Sequence, residues 1–215
     1  MVDAEQLEAL LGFLDLKASD RVVDLGCGIG SQAEHIADRT GAHVLGVDFA
    51  EAAIGRAKER TKSRRDRLEF ALGDLDDIKL PPRSFNAVVA LDSLYFVDDL
   101  EKVTADIVNL VAPGGRLAVF YSQIKREDPS EVLEAGGTRF AMALKKLGVA
   151  FETRDFTENE FRHWQKELAA DAELKPAYED EGNIDLWASS DEEARQMLDV
   201  FKKAEASRYL YMARL

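Results

Sequence analysis

Apolar positions along this chain follow two rhythms. Short, nearly continuous apolar runs bounded by turn residues alternate with stretches where apolar residues recur every three or four positions. Runs of the first kind predict strands at RVVDL (21–25), HVLGVD (43–48), LEFALGD (68–74), FNAVVAL (85–91) and RLAVFY (116–121). The fourth is almost uninterrupted, as expected of a strand buried on both faces. Stretches of the second kind predict helices over 30–39, stopped by Gly41, over 50–62, and over 98–110, where Leu100, Val103, Ile107 and Leu110 share one face. A short acidic helix precedes the first strand, and PGG (113–115) reads as a turn.

Strand and helix alternate through residue 121, which predicts an α/β fold with a parallel sheet and helices on both faces. Ligands of such sheets bind at the carboxyl ends of the strands, near the point where strand order reverses. The remainder differs. A helix over 137–147 and a strand over 149–156 are followed by TENE (157–160) and, further on, SDEE (190–193). Both match the capping-box pattern that starts a helix. The first helix is expected to run to about residue 172, and YEDEGN (178–183) breaks the pattern. In the second helix Ala194, Met197, Leu198 and Phe201 share a face, and SRYLYMARL closes the chain as an alternating strand. About fifty residues, 157–206, therefore stand between the last two strands, as a helical insertion within a single domain spanning 1–215.

Charge narrows the partners. With 28 basic and 41 acidic side chains the formal charge is −13, which argues against duplex nucleic acid, bound mainly by neutralising phosphates. The one basic run, KERTKSRRDR (58–67), reads as an exposed helix end and turn. No apolar run nears the roughly 20 residues of a membrane helix. No basic region precedes the first apolar residues, and one cysteine fits a reducing compartment, so a cytoplasmic location is expected. Three scattered histidines and one cysteine make no metal-ligand spacing, so no metal is expected.

The chemistry centres on VVDLGCGIG (22–30). Glycines at 26, 28 and 30 mark a strand that ends in a tight turn against which something binds, or a purely structural turn. A dinucleotide site wants G-x-G-x-x-G, but here Ser31 stands where the third glycine belongs. Asp24, just before the turn, would repel a pyrophosphate and suit a ligand carrying an ammonium group. Asp48 ends the second strand, where a carboxylate accepts from a ribose diol, and Asp74 follows the third, where it accepts from an adenine amine or caps a helix. Together these describe a pocket for a nucleoside joined to an amino acid, with no phosphate required.

At these residues the sequence resembles the class I S-adenosylmethionine-dependent methyltransferases. VVDLGCGIG, VLGVDFA, GDL, FNAVVALDSLYFV and APGGRLAVF match that family's motifs in order and spacing across residues 20 to 121. The resemblance implies a Rossmann-like seven-stranded, mostly parallel sheet whose last strand is antiparallel. It implies S-adenosylmethionine as cofactor, with Asp24, Gly26, Gly28 and Gly30 at its methionine portion and Cys27 within the same turn. Asp48 would hold the ribose, Phe49 pack on the adenine, Asp74 and Leu75 border the base, and Leu91 offer backbone to the methionine amine. The helices before the last strand are similar in placement to those that cover the substrate in the small-molecule branch. Only about twenty residues precede the first strand, which leaves closure of the pocket to the insertion or to a second subunit, and so a homodimer within expectation.

The implied activity is methyl transfer to an N, O or C atom of a small-molecule acceptor. Asp92, Tyr95 and Tyr121 are the candidate catalytic residues, with Ser122 and Gln123 beside them. Trp164 is expected in a core, His163 at the surface, His35 and His43 at element ends, and Cys27 as a small buried filler. The insertion holds 14 acidic and 6 basic residues; near a pocket that excess favours a cationic amine, and otherwise it is a solvated surface. Competing readings are a protein or RNA methyltransferase, a non-catalytic cofactor-binding subunit, and, weakest, a nicotinamide dehydrogenase.

Overall fold

A computed structural model describes residues 2–64, 66–125 and 130–215 of the chain, with the side chain of residue 64 left aside. The elements run α1 (Ala4–Leu14), β1 (Arg21–Leu25), α2 (Ser31–Thr40), β2 (His43–Asp48), α3 (Glu51–Arg60), β3 (Leu68–Leu72), β4 (Phe85–Leu91) and α4 (Leu100–Leu110). Then come β5 (Val111–Ile124), α5 (Arg139–Lys146), β6 (Glu152–Asp155), α6 (Thr157–Asp180), α7 (Ile184–Lys202) and β7 (Ala206–Arg214). Arg65, in the basic run, lies outside the described residues.

The seven strands form one sheet in the order β3-β2-β1-β4-β5-β7-β6. The pairings among β1 to β5 are parallel, and β7 lies antiparallel between β5 and β6. The order reverses between β1 and β4, so the carboxyl ends of those two strands flank the crevice that such sheets use for ligands. Side-chain alternation sends Val22, Ala87, Val89, Ala118, Phe120 and Leu210 to one face, under α1, α2 and α3. Val23, Leu25, Val88, Leu117, Val119 and Tyr211 go to the other, under α4 and α5. Central strands buried on both faces leave no polar side for solvent, which explains the unbroken apolar runs.

Three expectations need correction. PGG is not a turn between elements: β5 continues from Val111 to Ile124, and the irregularity appears as a register shift between Phe85 and Ala87 of its partner. The TENE capping box does not form, because the Thr157 hydroxyl accepts from the amide of Arg208 and Glu160 is buried against the Arg208 side chain. Nor does SDEE begin a helix. It lies inside α7, and the Ser190 hydroxyl reaches across to the buried Asp171 carboxylate of α6, at 3.0 and 3.1 Å. The helix break falls within 178–183 as expected, but α6 runs past residue 172 to Asp180 before the turn at Gly182, which takes the left-handed φ of 73°. The two helices pack mainly on each other and meet the sheet at β7.

Candidate active site

The glycine turn begins where β1 ends. Gly26 and Cys27 both donate to the carbonyl of Val47, at 2.7 and 3.0 Å, which ties the turn to neighbouring β2. Gly26, Gly28 and Gly30 all adopt positive φ, the region where a Cβ is strained. Their surroundings differ. A Cβ on Gly30 would meet the Phe70 ring at 2.4 Å, and one on Gly26 would meet Ser93 at 2.2 Å. A Cβ on Gly28 would meet nothing within 4 Å, so the turn presents bare backbone to open space at that residue. Ser93, which the sequence reading did not single out, donates from its hydroxyl to the Leu25 carbonyl at 2.7 Å and so fastens the end of β4 to β1.

Three carboxylates surround this turn in three different states. Asp24 is buried and its Oδ2 has no hydrogen-bond partner within the protein. Burial, with the nearby Asp48 charge adding to it, pushes the Asp24 carboxyl up to about 7. Asp48 is satisfied: its Oδ2 accepts from the Gly28 amide at 2.8 Å and its Oδ1 from the Ala50 amide at 2.9 Å. Asp74 caps the short 3-10 turn that follows β3, accepting from the Asp76 amide at 2.9 Å.

Two adjoining pockets occupy the crevice. One, of about 330 Å3, is lined by Gly26, Asp48, Phe49, Asp74, Leu75 and Asp76, and on its other wall by Asp92, Ser93, Phe96 and Val97. The other, of about 460 Å3, shares Phe49 and Asp74 and extends under Gly73, Ile78 and Leu80. Phe49 is 72% exposed and Phe96 77%, so two aromatic faces stand uncovered at the rim. Phe96 and Asp76 were not singled out from sequence; a lone aromatic or acid in a turn carries no periodic signal. Leu91 is buried at the end of β4, one residue before the pocket wall.

The candidate catalytic residues divide. Asp92 sits at a left-handed φ of 59° and accepts the Tyr95 hydroxyl at 2.7 Å. The Tyr95 hydroxyl also accepts from the Ser122 amide at 3.2 Å. Burial of that hydroxyl beside Asp92 raises its pKa above the ordinary tyrosine range, although the residue as a whole is 37% exposed. Tyr121 is buried in the core on the α4–α5 side, between the rings of Tyr95 and Phe140. Gln123 is buried and accepts from the Arg139 amide.

Arg208 was missed altogether. It is 1% exposed and forks onto Asp92, with Nη2 to Oδ2 at 2.8 Å and a second bond from Nη1 to Oδ1. Its signal was present: it shares the strand face of Leu210 and Met212, so the alternation of β7 points it inward. His163 and Trp164 are both half-buried and contact each other, so neither is plainly core or surface. The Cys27 thiol is pushed well above its ordinary value, first by burial and then by Asp24 and Asp48, as suits a filler. Among the described residues no cluster of His, Cys, Asp and Glu suits a metal ion, and no helix is long and apolar enough to cross a membrane.

Comparison with known proteins agrees with this geometry. Residues 22–115 match a family described as a methyltransferase domain. Methyltransferase GfsG of Streptomyces halstedii is 33% identical over 114 residues, covering 52% of this chain and 41% of that protein. The chain thus spans about two fifths of that relative's length. A phosphoethanolamine N-methyltransferase 2 of Haemonchus contortus, in complex with phosphomonomethylethanolamine and S-adenosylhomocysteine, superposes with a TM-score of 0.85 at 20% identity, over 98% of this chain and 53% of that one. A putative sarcosine dimethylglycine methyltransferase of Galdieria sulphuraria gives 0.84 at 15% identity, over 98% and 83%. Residues 22–115 thus match a methyltransferase domain, and the sheet has the fold of the solved methyltransferases on which the chain superposes.

Proposed function

We propose that this chain binds S-adenosylmethionine at the glycine turn and transfers its methyl group to a small-molecule acceptor. One observation carries the reading: a buried carboxylate with an unpartnered oxygen, Asp24, stands behind a turn whose middle glycine faces open space. An isolated carboxylate in that position costs free energy unless a cationic donor meets it, and an amino-acid ammonium is such a donor. Asp48 uses one oxygen's lone pair for the Gly28 amide of the turn and one on the other oxygen for the Ala50 amide at the start of α3, and keeps the others for a ribose diol. Phe49 offers its uncovered face to the adenine, with Asp74 and Leu75 along the base edge. The Leu91 carbonyl, one residue before the pocket wall, is the backbone group assigned to the amine in this reading. When bound, the cofactor supplies a sulfonium methyl already activated for displacement.

What remains for the protein is to hold the acceptor in line and exclude water. Tyr95 is a poor base, since its hydroxyl donates to Asp92 and resists ionisation. Asp92, held anionic by Arg208, is a weak base too. The site therefore suits an acceptor whose attacking atom already carries a free lone pair. The transfer-side pocket has four aspartates and no cation in its lining, which favours an amine over a phosphorylated or carboxylated acceptor. The amines named with the two neighbours support an amine acceptor, although each of them also carries a phosphate or a carboxylate.

The test is a small-metabolite extract incubated with the chain and cofactor carrying a labelled methyl. Label is expected in a low-molecular-mass amine. Label found only in protein or RNA contradicts the reading.

A further inference from the structure

Four non-glycine residues among the described ones take a left-handed φ, and Asp92 is the one that lines the crevice. Asp15 and Ala204 follow α1 and α7, where such a residue ends a helix. Asp92 instead follows β4, at φ 59°. A side chain there costs free energy, less for aspartate than for most residues, and the posture persists where surrounding bonds over-determine it. Those bonds are present. Arg208 of β7 forks onto the Asp92 carboxylate across β5, and the Tyr95 hydroxyl donates to its Oδ1 at 2.7 Å. The guanidinium is itself fixed. It lies 5.0 Å from the centroid of the Phe120 ring, donates to the Ser122 hydroxyl at 3.3 Å, and faces Glu160 at 3.3 Å. Just past the kink, Ser93 donates to the Leu25 carbonyl at 2.7 Å. It stands so close to Gly26 that a Cβ on that glycine would meet the Ser93 Cβ at 2.2 Å. The bend at Asp92 thus sets where Ser93 meets the first glycine of the turn.

We propose that Arg208 is a positioning residue of the cofactor site: by forking onto Asp92 it holds the left-handed kink at the end of β4, and the kink seats Ser93 against Leu25 and Gly26, where the glycine turn begins. The Asp92 side chain then serves the posture of its own backbone and not proton transfer. The inference rests on the cofactor reading above. Its physical basis is the free-energy difference between backbone states. Without the fork the kink relaxes in the ligand-free protein, and a ligand that needs the kinked form must restore it out of its own binding energy. That cost is small for glycine, which takes positive φ as readily as negative, and larger for a residue with an ordinary Cβ.

The experiment is calorimetric titration of the full chain with S-adenosylhomocysteine, with thermal melting to fix the folded fraction. The proteins are wild type, Asp92→Gly, Asp92→Ala, Arg208→Met, and Arg208→Met combined with each Asp92 variant. Glycine and alanine remove every contact of the carboxylate alike, and the alanine Cβ takes the place of the aspartate's own. The two differ in the ease of the left-handed φ. Asp92→Gly should bind about five- to thirtyfold more tightly than Asp92→Ala. Arg208→Met should weaken binding; adding Asp92→Gly should regain affinity, and adding Asp92→Ala should not. A role in stability alone moves the melting temperatures and leaves these ratios at one. Equal affinities of Asp92→Gly and Asp92→Ala overturn the proposal, and so does an Arg208→Met chain that binds like wild type. Asp92→Ser and Arg208→Lys, which keeps the charge but not the fork, stand in for any variant that does not fold. Failure of wild type to bind overturns the cofactor reading instead, so the two failures are distinct.

Discussion

The Asp48 carboxylate holds the Gly28 amide at 2.8 Å across twenty positions of sequence, and this bond shapes the open side of the glycine turn. The same carboxylate accepts from Ala50 and so also shapes the entry to α3. Asp48→Ala removes two charge-assisted bonds and whatever the ligand adds. The affinity for S-adenosylhomocysteine should fall by about 2 to 3 kcal/mol. Calorimetry on the folded variant checks it, and an unchanged affinity would show that the nucleoside lies elsewhere.

Gly28 and Gly30 separate binding from folding. Both need positive φ, at 53° and 77°, so alanine at either costs about 1–2 kcal/mol in backbone strain. At Gly30 the added methyl also strikes Phe70, whereas at Gly28 it enters open space. Gly30→Ala should lower the melting temperature markedly more than Gly28→Ala. Gly28→Ala should fold yet lose most of its affinity for S-adenosylhomocysteine, because its methyl fills the cradle.

Asp24 gives the site a pH dependence. Its carboxyl is raised from 3.8 to about 7, by burial first and by Asp48 second. In the ligand-free protein the folded state keeps that proton while the unfolded state has lost it, so this group lowers stability progressively as pH rises from about 4 to 7. Binding an ammonium requires the carboxylate. Affinity for S-adenosylhomocysteine should therefore rise with pH up to about 7 and then level, before the ligand amine itself deprotonates at roughly 8. Below that limb, binding should release a proton, measurable from the buffer dependence of the heat. In Asp48→Asn the rise should move to lower pH. An affinity flat from pH 5 to 7 contradicts the assignment.

Tyr95 lines neither pocket itself but bonds Asp92, which lines one of them, and the Ser122 amide. Tyr95→Phe should lower turnover in the labelled-methyl assay while leaving S-adenosylhomocysteine affinity within about twofold. A variant that loses stability but keeps its rate per folded molecule marks Tyr95 as a packing residue only.

Of the two inserted helices, α6 bonds the sheet through Thr157 and Glu160, α7 also packs on β7, and none of residues 157–202 lines either pocket. We retain the reading of this hairpin as a cover over the acceptor, as a proposal. Amides of α6 and α7 should exchange more slowly when cofactor and acceptor are both bound than with cofactor alone. Equal protection in all states contradicts it.

The sheet core was legible in the sequence because its signals are local. RVVDL, HVLGVD and FNAVVAL are apolar runs framed by turns, and the strands begin and end at those residues. The glycine turn and its three aspartates were legible for the same reason. What escaped notice depends on partners distant in sequence. Ser190 looked like a helix cap until Asp171 claimed it, and Thr157 until the Arg208 amide did. Arg208 itself is one inward position on an alternating strand, and its partners Asp92 and Glu160 lie 116 and 48 residues earlier. Composition cannot reveal such a trio; an arginine on an apolar strand face is its one local mark, because a buried arginine requires carboxylate partners.

The most direct test of the account is ligand discrimination at the glycine turn. The chain is titrated with S-adenosylhomocysteine and separately with NAD, and Asp24→Asn is measured alongside. The account predicts saturable one-to-one binding of S-adenosylhomocysteine, at least tenfold weaker binding by Asp24→Asn (about 1.4 kcal/mol or more), and no saturable binding of NAD. Tight NAD binding without a response to S-adenosylhomocysteine would contradict it.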